Sequence, residues 1–350
     1  MDIEQAHLNF FGLREQPFAP TADPSYFYAT QEHKECLFRL WSSIDARHGI
    51  AVVLGNYGTG KTALLRKLLT GMTATRERYN TAVVASPIPS WTSFALLEAI
   101  VTQFRIPPPK WAFTAYLEAL NAFLMRNRDR VNTLIIDDAQ NLNKRGQLEL
   151  LRLVQNLESH QHKLLNLVLL AQLEWIDILR AAPNFEQRID FTYVLKPIPF
   201  EETRHFIEFR LRQAGGDGPR APDFDDAAVQ AVHAYTEGVP RMIVTLCRNA
   251  LLEAAQAKKR HITAEIVLRT IEKTTLPNPE KRAQAAAAAR MTDTAPQPAP
   301  PERVPMETAA PRIAVMSPRT TREKKASEML LRAAERLRRP VEEGAMPASE

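Results

Sequence analysis

Short apolar runs alternate with longer amphipathic stretches over the first two hundred residues. Runs rich in β-branched residues predict strands at 50–54, 81–86, 133–137, 164–171 and 191–195. Apolar positions at helical spacing predict helices at 35–47, 62–69, 93–104, 112–126, 147–157 and 173–180. This alternation is typical of an α/β fold, in which helices cover both faces of a parallel sheet.

The pattern changes after residue 200, where no stretch predicts a strand. Four amphipathic stretches predict helices at 201–214, 225–235, 241–255 and 264–272, with turns at GGDGP and EGVP. We therefore expect four parts: an N-terminal strap at 1–30, a core at 31–199, an all-helical lid at 200–275 and a tail at 276–350.

The tail has a different composition from the rest of the chain. It holds 11 of the 25 prolines and the alanine run 285–289, which is typical of linkers and disordered segments. It also holds 13 Lys and Arg against 10 Asp and Glu, so most of the net charge of +5 belongs to it. Residues 320–339 place apolar side chains on one helical stripe. Such a helix could dock a protein, rest on DNA phosphates or simply be solvated.

Composition and cysteine usage limit the class of protein. The chain has 350 residues, 45% of them hydrophobic, as in ordinary globular proteins. Cys36 and Cys247 are far apart and no CxxC motif is present, so neither a disulfide framework nor a zinc site is indicated. No apolar run approaches the roughly 20 residues of a transmembrane helix, and the N-terminus lacks signal-peptide character. We expect a cytoplasmic protein without an integral membrane segment.

A phosphate-binding loop follows the first predicted strand. The G-x-x-x-x-G-K-[ST] pattern occurs in the strand-loop-helix context that it requires. Its residues are Gly55, Asn56, Tyr57, Gly58, Thr59, Gly60, Lys61 and Thr62. The glycines let the backbone amides approach phosphate groups, Lys61 reaches the β- and γ-phosphates of ATP, and Thr62 binds Mg²⁺.

Two carboxylates end the third predicted strand, in LIIDD. We expect Asp137 to complete the Mg²⁺ site and Asp138 to act as the general base for the attacking water. Aspartate is one methylene shorter than glutamate and reaches less far toward a water, so slow hydrolysis is consistent with this pair.

These motifs together resemble the AAA+ ATPases of the ExeA/GspA type, a group related to the transposition ATPases TnsC and TniB. The resemblance covers about residues 8–272. It is carried by FFGLREQPFAPTADPSYFY, GNYGTGKT, LIIDDAQNL, LLAQLEW, FEQRI, ETRHFIEFRLRQAGG and GVPRMIVTLCRNAL. It implies a P-loop NTPase core with a helical lid, self-association, and ATP bound between protomers.

The resemblance also implies roles for three further residues. Gln172 stands where these proteins keep a polar sensor of the γ-phosphate, and Arg188 matches the arginine finger that reaches a neighbour's site. Arg241 matches a second sensor at the start of a lid helix. Each could instead be an ordinary surface residue, Arg188 in a salt bridge and Arg241 paired with Glu237. In relatives the N-terminal strap covers the adenine side of the site, although plain core packing explains its aromatics equally well.

Two functional hypotheses remain open. In the first, the protein is an ATP-hydrolysing switch for a secretion or other assembly and acts on a protein partner. In the second, it is an ATP-dependent regulator of DNA transposition that oligomerises on duplex DNA, recruits a transposase and hydrolyses ATP slowly. The basic pair Lys144 and Arg145 could face the central pore of a ring or could form a surface patch.

Overall fold

The computed structural model describes residues 3–21, 23–159 and 162–293. Five strands form one parallel sheet in the order β2-β3-β4-β1-β5. They are β1 (Ile50–Leu54), β2 (Tyr79–Ala85), β3 (Val131–Asp137), β4 (Asn166–Ala171) and β5 (Ile189–Val194). The α/β prediction is therefore confirmed, and the strand boundaries differ from the predicted ones by no more than two residues.

Helices connect the strands and cover both faces of the sheet, as parallel strands require. The helices of the strap and core are α1 (Ile3–Phe11), α2 (Gln31–Ala46), α3 (Lys61–Ala74), α4 (Ser93–Gln103), α5 (Phe113–Arg126), α6 (Arg145–Gln155), α7 (Trp175–Arg180) and α8 (Pro183–Glu186). In β4, Leu167 and Leu169 lie in the apolar cluster of α4 to α7, whereas Val168 and Leu170 lie in that of α2 and α3. This alternation buries the sheet on both sides.

The region after the sheet is a helical lid. Its helices are α9 (Phe200–Gln213), α10 (Asp226–Thr236), α11 (Pro240–Gln256), α12 (Ala264–Thr274) and α13 (Pro279–Asp293). Two strands of two residues each, β6 (Asp223–Phe224) and β7 (His261–Ile262), pair in parallel. The sequence predicts no strand here because two residues are too few to show a period.

Helix α13 lies in the segment for which the sequence predicts a disordered tail. Ala285 and Ala289 are 0% and 5% exposed and belong to the apolar cluster of the lid. Alanine has a high helix propensity and lets two helices approach closely, so the alanine run forms a packed helix rather than a linker. The lid thus extends to Asp293, and the helix expected at 320–339 lies outside the described residues.

The N-terminal segment is also more structured than an extended strap. Helix α1 precedes the extended part, and a short 3₁₀ turn spans Pro24–Tyr26. Leu8, Phe11 and Phe18 are buried in the apolar cluster of the lid, not in that of the core. The segment was predicted as a separate strap because its sequence does not show which domain its aromatics contact.

One further observation concerns the helices of residues 3–293 outside the two short gaps. None of them combines the length and the apolar character that crossing a bilayer requires.

Candidate functional site

The phosphate-binding loop lies at the carboxyl end of β1, which is between β4 and β5 in the sheet. Gly58 and Gly60 have φ values of +82° and +100°, which favour glycine. A Cβ atom on Gly58 would lie 2.9 Å from the Cβ of Arg241, so the loop has no room for a side chain there. Helix α3 begins directly after the loop, and its first amides therefore face the same space.

Lys61 is held inside this loop. Its ammonium donates to the carbonyl oxygens of Gly55 and Asn56 at 2.7 and 3.1 Å. Burial lowers the pKa of this amine, and the nearby Asp137 and Asp138 raise it in part. Thr59 is buried and its hydroxyl donates to the Asn56 carbonyl at 2.8 Å, which stiffens the turn. The loop therefore keeps one partly desolvated cation at its base.

Asp137 ends β3 beside the first turn of α3. The Thr62 hydroxyl donates to its Oδ2 at 3.0 Å, and the Asp138 amide donates to its Oδ1 at 3.0 Å. Burial raises the pKa of this carboxyl, whereas the two hydrogen bonds oppose that shift. A hydroxyl and a carboxylate in contact at the base of a phosphate loop are the oxygen donors that Mg²⁺ prefers, so these residues fit the ion.

Asp138 follows in a left-handed backbone conformation with φ of +53°. Ser86, at the end of β2, donates its hydroxyl to Asp138 Oδ2 at 2.9 Å, and the Gln140 amide donates to Oδ1 at 3.1 Å. Both oxygens of the carboxylate are therefore held in place by side chains.

Gln172 follows the last residue of β4 and borders the same space as Asp138. Its backbone N–H donates to Gln140 Oε1 at 3.2 Å. Since the Gln140 amide nitrogen bonds Asp138, one side chain links the ends of β3 and β4. This link fixes the spacing between the carboxylate and the glutamine.

The lid contacts the phosphate loop through the first residues of α11. The Arg241 amide donates to the Gly58 carbonyl at 3.3 Å, and the Arg241 guanidinium carbon lies 4.7 Å from the centre of the Tyr57 ring. Tyr57 itself is 67% exposed. The start of α11 is thus in direct contact with the tip of the loop, through a backbone hydrogen bond and a cation–π contact.

The N-terminal segment forms the remaining wall. Together the parts enclose one cleft, lined by the segment around residues 19–28, the loop, the ends of β3 and β4, and α9 and α11. Phe27 contacts the imidazole of His33 edge to face at 5.2 Å. The Thr30 hydroxyl is 2.6 Å from His33 Nδ1, and a Cβ on Gly60 would lie 3.0 Å from His33 Nε2. The imidazole therefore fills the space behind the phosphate loop.

Burial depresses the pKa of His33 to about 4, so the ring is neutral near pH 7. On its other side, the N-terminal segment is tied to the lid by Arg210 of α9. This guanidinium donates to the carbonyls of Pro17, Ala19 and Tyr26 at 2.8, 3.3 and 3.4 Å. The segment therefore contacts both the lid and the phosphate loop. It packs against the lid through Arg210, and its residues within 19–28 also line the cleft.

Arg188 lies elsewhere. It precedes β5, so it is at the amino ends of the strands, whereas the cleft is at their carboxyl ends. Its guanidinium donates to the side-chain oxygens of Asn156 and Gln155. The structure therefore brings together the loop, Asp137, Asp138, Gln172 and Arg241, but not Arg188.

Sequence reasoning missed three residues of this site: His33, Ser86 and Gln140. Gln140 follows the carboxylate pair and could have been noticed from its position. His33 reaches the site from a helix before the loop, and Ser86 reaches it from the end of a strand after the loop. Each is more than twenty residues from the loop in the sequence. No local spacing signals such contacts.

Comparison with known proteins agrees with this arrangement. Residues 44–179 match the AAA domain family. General secretion pathway protein A of Aeromonas hydrophila is 33% identical over 272 residues, which are 76% of this chain and 48% of that protein. The chain therefore spans about half the length of this curated relative.

Solved structures show the same fold. CDC6P from Pyrobaculum aerophilum aligns with a TM-score of 0.56 at 18% identity, over 76% of this chain and 72% of that one. The Aeropyrum pernix ORC2 protein, solved as ADPNP-ADP complexes, aligns with a TM-score of 0.53 at 18% identity, over 71% and 68%. The chain thus carries an AAA+ P-loop NTPase domain and resembles the ExeA/GspA group of these proteins.

Proposed function

We propose that this protein binds and hydrolyses ATP with Mg²⁺ and works as a nucleotide-dependent switch. The observation that carries this proposal is the convergence of Lys61, Thr62, Asp137, Asp138, Gln172 and Arg241 around one cleft. A structural glycine turn would need neither the carboxylate beside Thr62 nor the lid arginine at the loop tip.

In this proposal, each side chain has a separate task. The loop amides and Lys61 bind the β- and γ-phosphates. The loop loses little conformational freedom on binding because its backbone is already held in the binding conformation. Thr62 and Asp137 hold Mg²⁺, which when bound neutralises phosphate charge and orients the phosphate oxygens. Arg241 connects the phosphate site to the lid, so nucleotide state biases the lid position.

Asp138 is the proposed general base for the attacking water. Its oxygens accept hydrogen bonds from Ser86 and Gln140, which occupy lone pairs that would otherwise accept the water proton. These bonds must lengthen or exchange when a water is activated. The occupied lone pairs and the short side chain of an aspartate are two separate reasons to expect slow basal hydrolysis.

ATP hydrolysis by this proposal requires a second protomer. Arg188 is half-buried at the sheet edge opposite the cleft, so any phosphate that it contacts must belong to a neighbour's nucleotide and not to its own. Arginine suits this task because its planar guanidinium stays charged and contacts several phosphate oxygens. We accordingly propose that ATP binds between protomers and drives self-association.

The likeness to General secretion pathway protein A supports a secretion-type assembly as the setting, with a protein as the partner. The cytoplasmic location expected from the sequence is part of this proposal. The chain spans only about half of that relative, so we give its partner and its location as proposals.

Removal of the Lys61 ammonium tests the core of the proposal. In Lys61→Ala, calorimetric ATP affinity should fall at least tenfold and phosphate release should fall to background, because the β- and γ-phosphates lose their cation. Lys67→Ala, on the same helix but outside the cleft, is the matched control and should behave as wild type. Equal ATP affinity in Lys61→Ala and wild type would refute the proposed site.

A further inference from the structure

A second surface lies beside the cleft at the same edge of the sheet. It consists of Ile88, Lys110, Trp111, Phe113, Lys144 and Arg145, and we call it the Trp111 surface. Ile88 belongs to the loop that leads from β2 to α4, the same loop that begins with Ser86. The Lys144 ammonium donates to the carbonyls of Ser90 and Trp91 at 3.0 and 3.2 Å. This contact joins the start of α6 to that loop.

The first turn of α4 connects the two halves of the surface. A Cβ on Gly146 would lie 2.8 Å from Ser93 Oγ, so the residues after Lys144 contact the start of α4. The next residue, Phe94, contacts the Trp111 ring edge to face at 4.6 Å. Lys144, Arg145 and Trp111 therefore lie around one helix turn.

Trp111 is held firmly yet remains exposed. Its ring is nearly perpendicular to those of Phe94 and Tyr116, at 76° and 86°, while 70% of the residue is accessible to solvent. Phe113 and Ile88 are 38% and 53% exposed. An exposed aromatic ring with fixed orientation loses little entropy on binding, which is typical of contact residues rather than of surface residues without a ligand.

The charge of the surface has one sign. The segments 86–94, 107–116 and 140–147 contain Lys110, Lys144 and Arg145 and not a single Asp or Glu. Lys110 and Arg145 are exposed, and within the described residues neither forms an ion pair. The folded part of the chain is nearly neutral as a whole, so this local excess of positive charge favours an anionic ligand.

We propose that the Trp111 surface binds single-stranded DNA. Exposed aromatics beside cations match this ligand because unpaired bases offer stacking faces and the phosphates follow at regular spacing. The bases of duplex DNA are stacked on each other, and an acidic peptide offers charge without successive aromatic faces. The proposal is independent of ATP binding, since none of the six residues lines the cleft.

The test measures binding of fluorescein-labelled (dT)20 to the full chain by anisotropy, without nucleotide, between 50 and 200 mM NaCl. Binding should weaken steeply with salt, and intrinsic tryptophan fluorescence should be quenched. Trp111→Ala should weaken binding about tenfold or more, and Trp111→Phe should retain most of the affinity while losing the quenching. Lys110→Gln with Arg145→Gln should lower the salt slope by about 1.4.

Lys258→Gln with Lys259→Gln, two exposed cations of the lid, is the matched control and should leave affinity unchanged. Unchanged ATP hydrolysis in Trp111→Ala shows that the variant folds. Wild-type ATP hydrolysis is measured in a separate assay, so that loss of the ATPase proposal is distinguished from loss of the DNA-binding proposal. No binding at 50 mM NaCl, or unaltered affinity in Trp111→Ala, would overturn the proposal. Binding of polyglutamate as tight as that of (dT)20 would also overturn it and would point to an acidic protein. Binding of a 20-base-pair duplex as tight as that of (dT)20 would overturn it as well.

Discussion

The two edges of the central sheet differ sharply in what they carry. At the carboxyl ends of β1, β3 and β4 lie the phosphate loop, Asp138 and Gln172, which line one cleft, and Asp137, which contacts Thr62 of the loop. At the amino end of β5 lies Arg188, in contact with Asn156. In open α/β sheets, ligands bind at the carboxyl edge, where the loops and helix N-termini converge.

Under the proposed role of Arg188, one protomer holds most of the ATP site and a neighbouring protomer supplies the rest. The groups at the carboxyl edge can bind nucleotide and position a water, whereas the arginine expected to stabilise the transition state is a full strand length away. If Arg188 acts on ATP, it must act on the ATP of a neighbour. Mutations at the two edges should therefore separate binding from turnover.

The largest expected effect comes from the amino edge. In Arg188→Ala, the hydrolysis rate should fall about a thousandfold, because transition-state charge loses its trans cation, while ATP affinity stays within about twofold. Phosphate release and calorimetry measure the two quantities. Arg180→Ala, an exposed arginine on α7, is the matched control.

Mixing experiments sharpen this result. Lys61→Ala subunits keep Arg188, and Arg188→Ala subunits keep an intact cleft, so mixed oligomers contain competent composite sites. We expect part of the activity to return on mixing. Failure of the mixture at every ratio would mean that Arg188 is a structural arginine of the α6 contact.

A smaller effect is expected at the carboxyl edge. Asp138→Asn retains hydrogen-bonding capacity toward Ser86 but cannot accept the water proton, so turnover should fall about a hundredfold with ATP binding preserved. Asp129→Asn, an exposed acid near the amino ends of the strands, serves as the matched control. Turnover near the wild-type rate in Asp138→Asn would assign the base to another group.

The smallest expected effect concerns the support behind the phosphate loop. The folded-state pKa of His33 is about 4, below the usual 6.5, so the unfolded chain takes up the proton first as pH falls. The neutral ring's contribution is complete above pH 6.5 and is lost progressively toward pH 4. At pH 5 the loss is about 2 kcal/mol.

Urea unfolding at pH 7.5 and pH 5 measures this loss. In His33→Asn, which does not titrate, the difference in unfolding free energy between the two pH values should shrink by about that amount. An identical difference in wild type and His33→Asn would show that His33 is not the group responsible.

The fold class and most of the cleft were predictable because their signals are local. The phosphate loop is a run of eight residues, and Asp137 and Asp138 end a strand whose apolar pattern is continuous. Gln172 follows another such strand. Parallel strands place their carboxyl ends together, so the proximity of these residues follows from the fold class itself.

Other features escaped prediction because they depend on contacts between distant segments. Helix α13 was mistaken for part of a tail, since alanine and proline content describes composition but not the groove against which Ala285 packs. The attachment of residues 17–26 to the lid through Arg210 joins positions more than 180 residues apart. Ser86 and Asp138 meet only because β2 and β3 are paired in register.

The sequence by itself determined the phosphate loop, the carboxylate pair and the alternation that makes a parallel sheet, because each depends on covalent neighbours or on a period. Tertiary structure alone decided which domain the N-terminal segment covers and which groups hold Asp138. These depend on where chain segments pack, and burial and hydrogen bonding between distant segments select that packing.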